Sequence, residues 1–160
     1  MSQLALYGGE KTKKIHFGSG MRFGEEELKE LKEALEQNTL FYWSGKKVKR
    51  FADEFADMYG AKYCVTASSG TSAIHIGLGT VGVTAGDEVI TSPITDMGTF
   101  IGMLYQNAIP VFADLNPDTY NLDPKSVESK ITNKTKAILV VHLAGNPADM
   151  DAIMDISPQV

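Results

Sequence analysis

At 160 residues, with a formal net charge of -5, 43% hydrophobic and 22% charged residues, the chain has the composition of one soluble globular domain. That length allows burial of roughly 70% of the unfolded surface. The acidic balance argues against nucleic acid as the main partner, because phosphate-backbone binders gather Lys and Arg on one face. No stretch of about 18 apolar residues and no basic-then-apolar leader occurs, so no membrane partner is expected. The lone Cys64 rules out an internal disulfide framework and fits a reducing compartment, which makes the cytoplasm the expected location.

Residues 1–24 read as an arm or lead-in, with Gly8, Gly9, Gly18, Gly20 and Gly24 around the apolar pieces 4–7 and 15–17; residues 25–160 read as the domain proper. The spacing of Leu28, Leu31 and Leu35 predicts a helix over 25–37, with acidic residues in its first turn. Val48, Phe51, Phe55 and Met58 predict a second amphipathic helix over 46–59, and Phe51, Phe55 and Met58 are expected in the core. The basic run Lys46, Lys47, Lys49 and Arg50 opens that helix beside Asp53, Glu54 and Asp57, and reads as a solvated face.

From Tyr63 onward, short β-rich runs alternate with helical stretches. Strands are predicted at 63–67, 88–91, 109–113 and 136–142, and helices near 71–81, 97–106, 124–130 and from Asp149. This alternation implies βαβ units and a mostly parallel sheet with flanking helices, an α/β fold. Asp123 before Pro124 is a helix start, with Asp as cap and Pro at the first helical position. Gly77, Gly79 and Gly82 match G-x-G-x-x-G by letter. They follow an apolar helical run instead of opening a helix after a strand, so they read as a helix end and the dinucleotide-binding reading is the weaker rival.

The stretch from Tyr63 to Ile74 carries the chemistry. An apolar run enters a turn of small residues and continues into a helix, so Ser69, Gly70, Thr71 and Ser72 offer backbone N–H groups, hydroxyls and the positive end of a helix dipole. Such a place suits a phosphate group. His142, expected at the carboxyl end of its strand, is a candidate for the edge of a site or a residue that simply hydrogen-bonds a nearby loop. Asp149 reads as a helix cap. His16 and His75 have no partners at metal-ligand spacing, so no metal site is assigned.

Six ordered segments carry a family resemblance: Ser69-Gly70-Thr71-Ser72-Ala73, Gly86-Asp87-Glu88-Val89-Ile90-Thr91, Ile109-Pro110-Val111-Phe112-Ala113-Asp114, Asn121-Leu122-Asp123-Pro124, Lys136-Ala137-Ile138, and Val141-His142-Leu143-Ala144-Gly145-Asn146-Pro147-Ala148-Asp149-Met150. Together they resemble the DegT/DnrJ/EryC1/StrS aminotransferases, pyridoxal-phosphate enzymes of the aspartate-aminotransferase-like fold type I. The resemblance implies a part of the large domain of that fold, a homodimeric or larger assembly, and an amino donor and a nucleotide-linked keto-sugar as substrates of the complete enzyme. It places Gly70, Thr71 and Ser72 in the phosphate-binding turn. It places Asp96, followed by Met97, where the family has an aromatic residue that stacks on the cofactor ring; a carboxylate cannot stack in that way. The family's ring-nitrogen aspartate and Schiff-base lysine come later than Asp149-Met150 and have no counterpart before Val160. None of the lysines sits in a setting resembling the family's Ser-x-x-x-x-Lys site. The resemblance therefore implies an incomplete large domain with no catalytic residue of its own, inactive alone. A non-catalytic cofactor-binding or assembly module is the alternative.

Overall fold

The computed structural model describes residues 3–14 and 22–157. The expected apolar piece at 15–17, with His16, Gly18 and Gly20, lies outside the described residues, as does Pro158. The chain divides into two compact units, Met1–Cys64 and Val65–Val160.

In the first unit a short 3-10 turn, Ala5–Tyr7, precedes α1 (Glu25–Glu36) and α2 (Lys47–Met58). Glu27 folds back to accept the Gly24 N–H at 2.6 Å, which closes the start of α1 and lowers the Glu27 pKa. The two helices are tied by charge. Lys47 bonds Glu30 and, at 2.5 Å, Glu33, while Arg50 bonds Glu30 at 2.6 Å and Lys49 bonds Asp53 at 2.7 Å. The basic run is thus matched by carboxylates on its own and the neighbouring helix.

The apolar face of α2 is the first correction to the sequence reading, and that of α1 is equally open. Leu31, Leu35, Phe51 and Met58 are exposed by 63%, 68%, 55% and 78%, and among the described residues of this unit only Ala56 joins the buried hydrophobic residues. Helical periodicity states which residues share a face, but burial needs a surface to lie against it. A hollow of 870 Å³ bordered by Phe23, Leu31, Ala34, Lys47 and Arg50 marks the uncovered side.

Hydrogen bonds from Lys47 and then Arg50 depress the Glu30 pKa below 4.5, and the bond from Lys47 does the same for Glu33. A carboxylate whose folded pKa is lowered contributes its stability above the ordinary value and loses it as pH falls through the lowered one. Acid below about pH 4.5 is therefore expected to loosen α1 from α2, and added salt to weaken the pairing at neutral pH, since these groups are exposed. Trp43, the single tryptophan, lies in the connection between the two helices and reports on it. Glu30→Gln with Glu33→Gln should flatten the acid response of its fluorescence; an unchanged curve would remove these pairs from the account.

The second unit is built on a parallel three-stranded sheet in the order β2-β1-β3, where β1 is Glu88–Thr91, β2 is Ile109–Phe112 and β3 is Thr135–Leu139. Helices α3 (Gly70–Thr80), α4 (Gly98–Tyr105), α5 (Pro124–Lys130) and α6 (Met150–Ile156) complete it. The predicted α/β class is present. Alternation along β1 sends successive residues to opposite faces. Val89 packs with Leu78, Val83, Met103 and Ala108 on the α3/α4 side. Ile90 packs with Ala113, Leu122, Val127 and Ile153 on the α5/α6 side. Asp123 caps α5 through the Lys125 N–H at 3.0 Å, and Asp149 caps α6 through the Ala152 N–H at 3.1 Å.

No strand forms over residues 63–67, the second correction. The segment straddles the boundary between the two units, Tyr63 and Val65 are 77% and 71% exposed, and neither β2 nor β3 extends its ladder to it. Alternating apolar residues suit a strand, yet a strand exists only where a neighbour continues the ladder. The predicted strand at 136–142 also stops earlier, at Leu139, so His142 follows the strand in an exposed connection and does not end it. The G-x-G-x-x-G letters do close a helix: Val81 and Gly82 N–H groups bond the Gly77 and Gly79 carbonyls at 3.1 Å, with Gly82 at φ 80°.

Candidate cofactor-phosphate site

Ser69 caps α3. Its hydroxyl accepts the Ser72 N–H at 3.1 Å and lies 3.0 Å from the Ser72 hydroxyl, which is also 3.2 Å from that of Ser68. The Ala73 N–H is taken by the Ser69 carbonyl at 3.0 Å. That leaves the N–H groups of Gly70 and Thr71, and the Thr71 hydroxyl, without a hydrogen-bond partner among the described residues. A Cβ added at Gly70 would meet no atom within 4 Å. Two donors, a hydroxyl and open space at the positive end of an eleven-residue helix are features that suit an anion, since an oxygen can approach the backbone there.

The start of α4 lies beside this turn. A methyl on Gly98 would stand 2.5 Å from the Thr71 Oγ1 and 2.9 Å from the Asp96 Oδ1, so both oxygens converge on one point and a larger residue there would displace those two side chains. One turn further, a methyl on Gly102 would stand 3.0 Å from the His75 N and 3.2 Å from the His75 Cα. Gly98 and Gly102 share one face of α4, and their lack of side chains lets α3 and α4 lie close with their N-termini side by side. The sequence reading did not single out this pair; its signal was two glycines four residues apart in an apolar helix.

Asp96 turns its carboxylate onto its own helix and accepts the Gly98 N–H at 2.7 Å. It therefore occupies the α4 terminus and leaves the α3 terminus as the open one. Its charge opposes a second anion near Thr71, an effect of about 1 kcal/mol in water-like surroundings at a few ångströms. Met97 beside it is 60% exposed and offers a polarizable surface instead of an aromatic one. The structure thus brings Gly70, Thr71, Ser72, Asp96 and Met97 to one place.

His142 lies on another connection at the same edge of the sheet. The chain leaves β1 for α4 on one face, while after β3 it continues to α6 on the other, and Thr91 at the end of β1 donates from Oγ1 to the Leu139 carbonyl at 2.8 Å. Neighbouring parallel strands whose following helices go to opposite faces leave a crevice at their carboxyl ends, where ligands bind in open α/β sheets. By letter, two lysines do follow a serine at the family's spacing, Lys49 after Ser44 and Lys134 after Ser129. Neither has a suitable setting. Lys49 is paired with Asp53, and Lys134 precedes β3 at the amino edge, where its carbonyl accepts the Glu88 N–H at 2.8 Å. Among the described residues no three His, Cys, Asp or Glu side chains are placed to hold a metal ion, and no helix is long and apolar enough to cross a membrane.

Residues 22–160 match the DegT/DnrJ/EryC1/StrS aminotransferase family. The chain belongs to this family. It is 40% identical over 158 residues, 98% of its length, to a putative L-glutamine:3-amino-2,3-dideoxy-scyllo-inosose aminotransferase of Streptoalloteichus tenebrarius, of which it covers 38%. Among solved structures it resembles 3-amino-5-hydroxybenzoic acid synthase, with a TM-score of 0.84, 36% identity and coverage of 89% of this chain and 37% of that one. It also resembles NtdA from Bacillus subtilis with bound cofactor PMP, with a TM-score of 0.79, 35% identity and coverage of 84% and 31%. The family is pyridoxal-phosphate dependent with the fold type I architecture, and the chain spans less than two-fifths of the length of these relatives.

Proposed function

We propose that this chain is the part of a pyridoxal-phosphate-dependent aminotransferase that holds the cofactor phosphate, and that the whole protein transfers an amino group to a ketone of a polyhydroxylated ring, a nucleotide-linked keto-sugar or a related cyclitol. The observation that carries the reading is the open pair of N–H groups at Gly70 and Thr71 with the unpartnered Thr71 hydroxyl, in a chain of this family. When bound, the cofactor supplies an electron sink for moving an amino group between carbon skeletons. The residues in hand do the holding. Gly70 and Thr71 donate to phosphate oxygens, Ser69 fixes the turn by capping α3, and Met97 offers an apolar edge beside the ring. The lysine and the ring-nitrogen aspartate are not assigned to any residue of this chain, which by itself is proposed to bind without turnover.

Homo-oligomerisation in the cytoplasm belongs to the same reading. The uncovered apolar faces of α1 and α2 support it, and light scattering of the chain should show association rising with concentration; a monomer at all concentrations would oppose it.

The functional reading is tested by comparing pyridoxal phosphate with pyridoxal, which lacks the phosphate. The wild-type protein should prefer the former, and Thr71→Ala should weaken pyridoxal phosphate while leaving pyridoxal unchanged. Equal affinities in the wild type would place recognition away from α3.

A further inference from the structure

Leu143–Gly145 forms a short 3-10 turn between β3 and α6, and it is fastened from below by Asn121. Asn121 is 3% exposed. Its amide nitrogen donates to the carbonyls of Asn146 at 3.0 Å and Pro147 at 3.1 Å, and its amide oxygen accepts the Leu143 N–H at 3.1 Å. A buried amide with both ends used specifies one loop conformation, because any other leaves polar atoms without partners. Among the described residues, four other than glycine have positive φ. Two are asparagines, which tolerate it; the other two are Tyr120 at 58° and Ala144 at 52°, both on this network. Strain on both of the segments that this amide joins points to a role for the shape it maintains.

The shape holds His142. Its Nδ1 accepts the Ala148 N–H at 3.0 Å, so that nitrogen carries a lone pair and the proton of the neutral ring is on Nε2. The ring is exposed, in the connection that leaves the crevice between β1 and β3.

We propose that His142 is a binding residue that donates its Nε2 hydrogen to an acceptor oxygen of the cofactor or ring substrate in that crevice, and that Asn121 is the positioning residue that keeps the loop, and so the tautomer, in place. This rests on the cofactor-binding reading above. His142 then has two jobs that different side chains can imitate separately. Asparagine can offer an acceptor near the Nδ1 position, while the longer glutamine can offer a donor near the Nε2 position.

The test uses the 160-residue chain. Long-range ¹H–¹⁵N spectra of the wild type should show the proton of the neutral His142 ring on Nε2 alone, and Asn121→Ser should give a mixture of tautomers. In titrations with pyridoxal phosphate, His142→Asn should lose about three- to tenfold in affinity, the equivalent of one hydrogen bond, whereas His142→Gln should stay near wild type. The reverse order, with asparagine retaining affinity and glutamine losing it, would show that His142 only supports the loop and would overturn the proposal. So would a wild-type histidine that exchanges freely between tautomers. Inorganic phosphate separates the two readings. If it shifts the Gly70 and Thr71 amides but the His142 variants bind alike, this inference fails alone; if it shifts neither amide, the cofactor-binding reading fails first.

Discussion

Gly70→Val should leave the fold intact and remove most of the affinity for a phosphate-bearing cofactor. A Cβ at Gly70 meets nothing within 4 Å, and the glycine has no positive φ to maintain. A branched side chain built outward from that Cβ enters the open space an oxyanion would fill. Keeping the phosphate from the N–H groups of Gly70 and Thr71 removes two hydrogen bonds to a charged partner, about 3 kcal/mol or more, a loss of roughly a hundredfold or greater. Thr71→Ala removes one and should cost about 1.5 to 3 kcal/mol, roughly ten- to a hundredfold. Circular dichroism and thermal melting check the fold, and equilibrium titration with pyridoxal phosphate reads the affinity. Both variants binding as wild type would move the phosphate site elsewhere.

Gly102→Val should have the opposite signature, a loss of stability. Its side chain would press on the backbone of His75 at 3.0 to 3.2 Å, which a rotamer change cannot relieve. Overpacking of this kind costs about 1 to 3 kcal/mol or more, and each kcal/mol lowers Tm by about 2 to 4 °C at this chain length. Gly77→Ala supplies the control. Gly77 has open space around it in the interior of α3, so the better helix propensity of alanine should raise stability by about 0.8 to 1 kcal/mol. If Gly102→Val melted with the wild type, the close approach of α3 and α4 would not be what sets Thr71 beside Asp96.

Elements whose cause is local were readable in advance. The capped starts of α5 and α6 at Asp123 and Asp149, the helix end at Gly82 and strand β1 all follow from residues within a few positions. Features that depend on a partner were not. The segment at 63–67 has a strand's alternation without a ladder to join, and Phe51 and Met58 share a helical face that stays exposed among the described residues. For the site, the turn from Ser69 to Ser72 was legible because capping and small residues are local signals. The juxtaposition of Thr71 with Asp96 depends on Gly98 and Gly102, across two helices, and the fastening of the His142 loop by Asn121 joins residues more than twenty positions apart. No periodicity encodes either.

The account turns on the start of α3 as the phosphate site, and amide mapping tests it most directly. In ¹H–¹⁵N spectra of the 160-residue chain, pyridoxal phosphate and inorganic phosphate should both move the amides of Gly70 and Thr71 most, with smaller shifts at Asp96 and Gly98 across the gap, and Gly70→Val should abolish the response. Largest shifts in the hollow beside α1 and α2, around Lys47 and Arg50, with Gly70 and Thr71 unmoved at saturation, would contradict it.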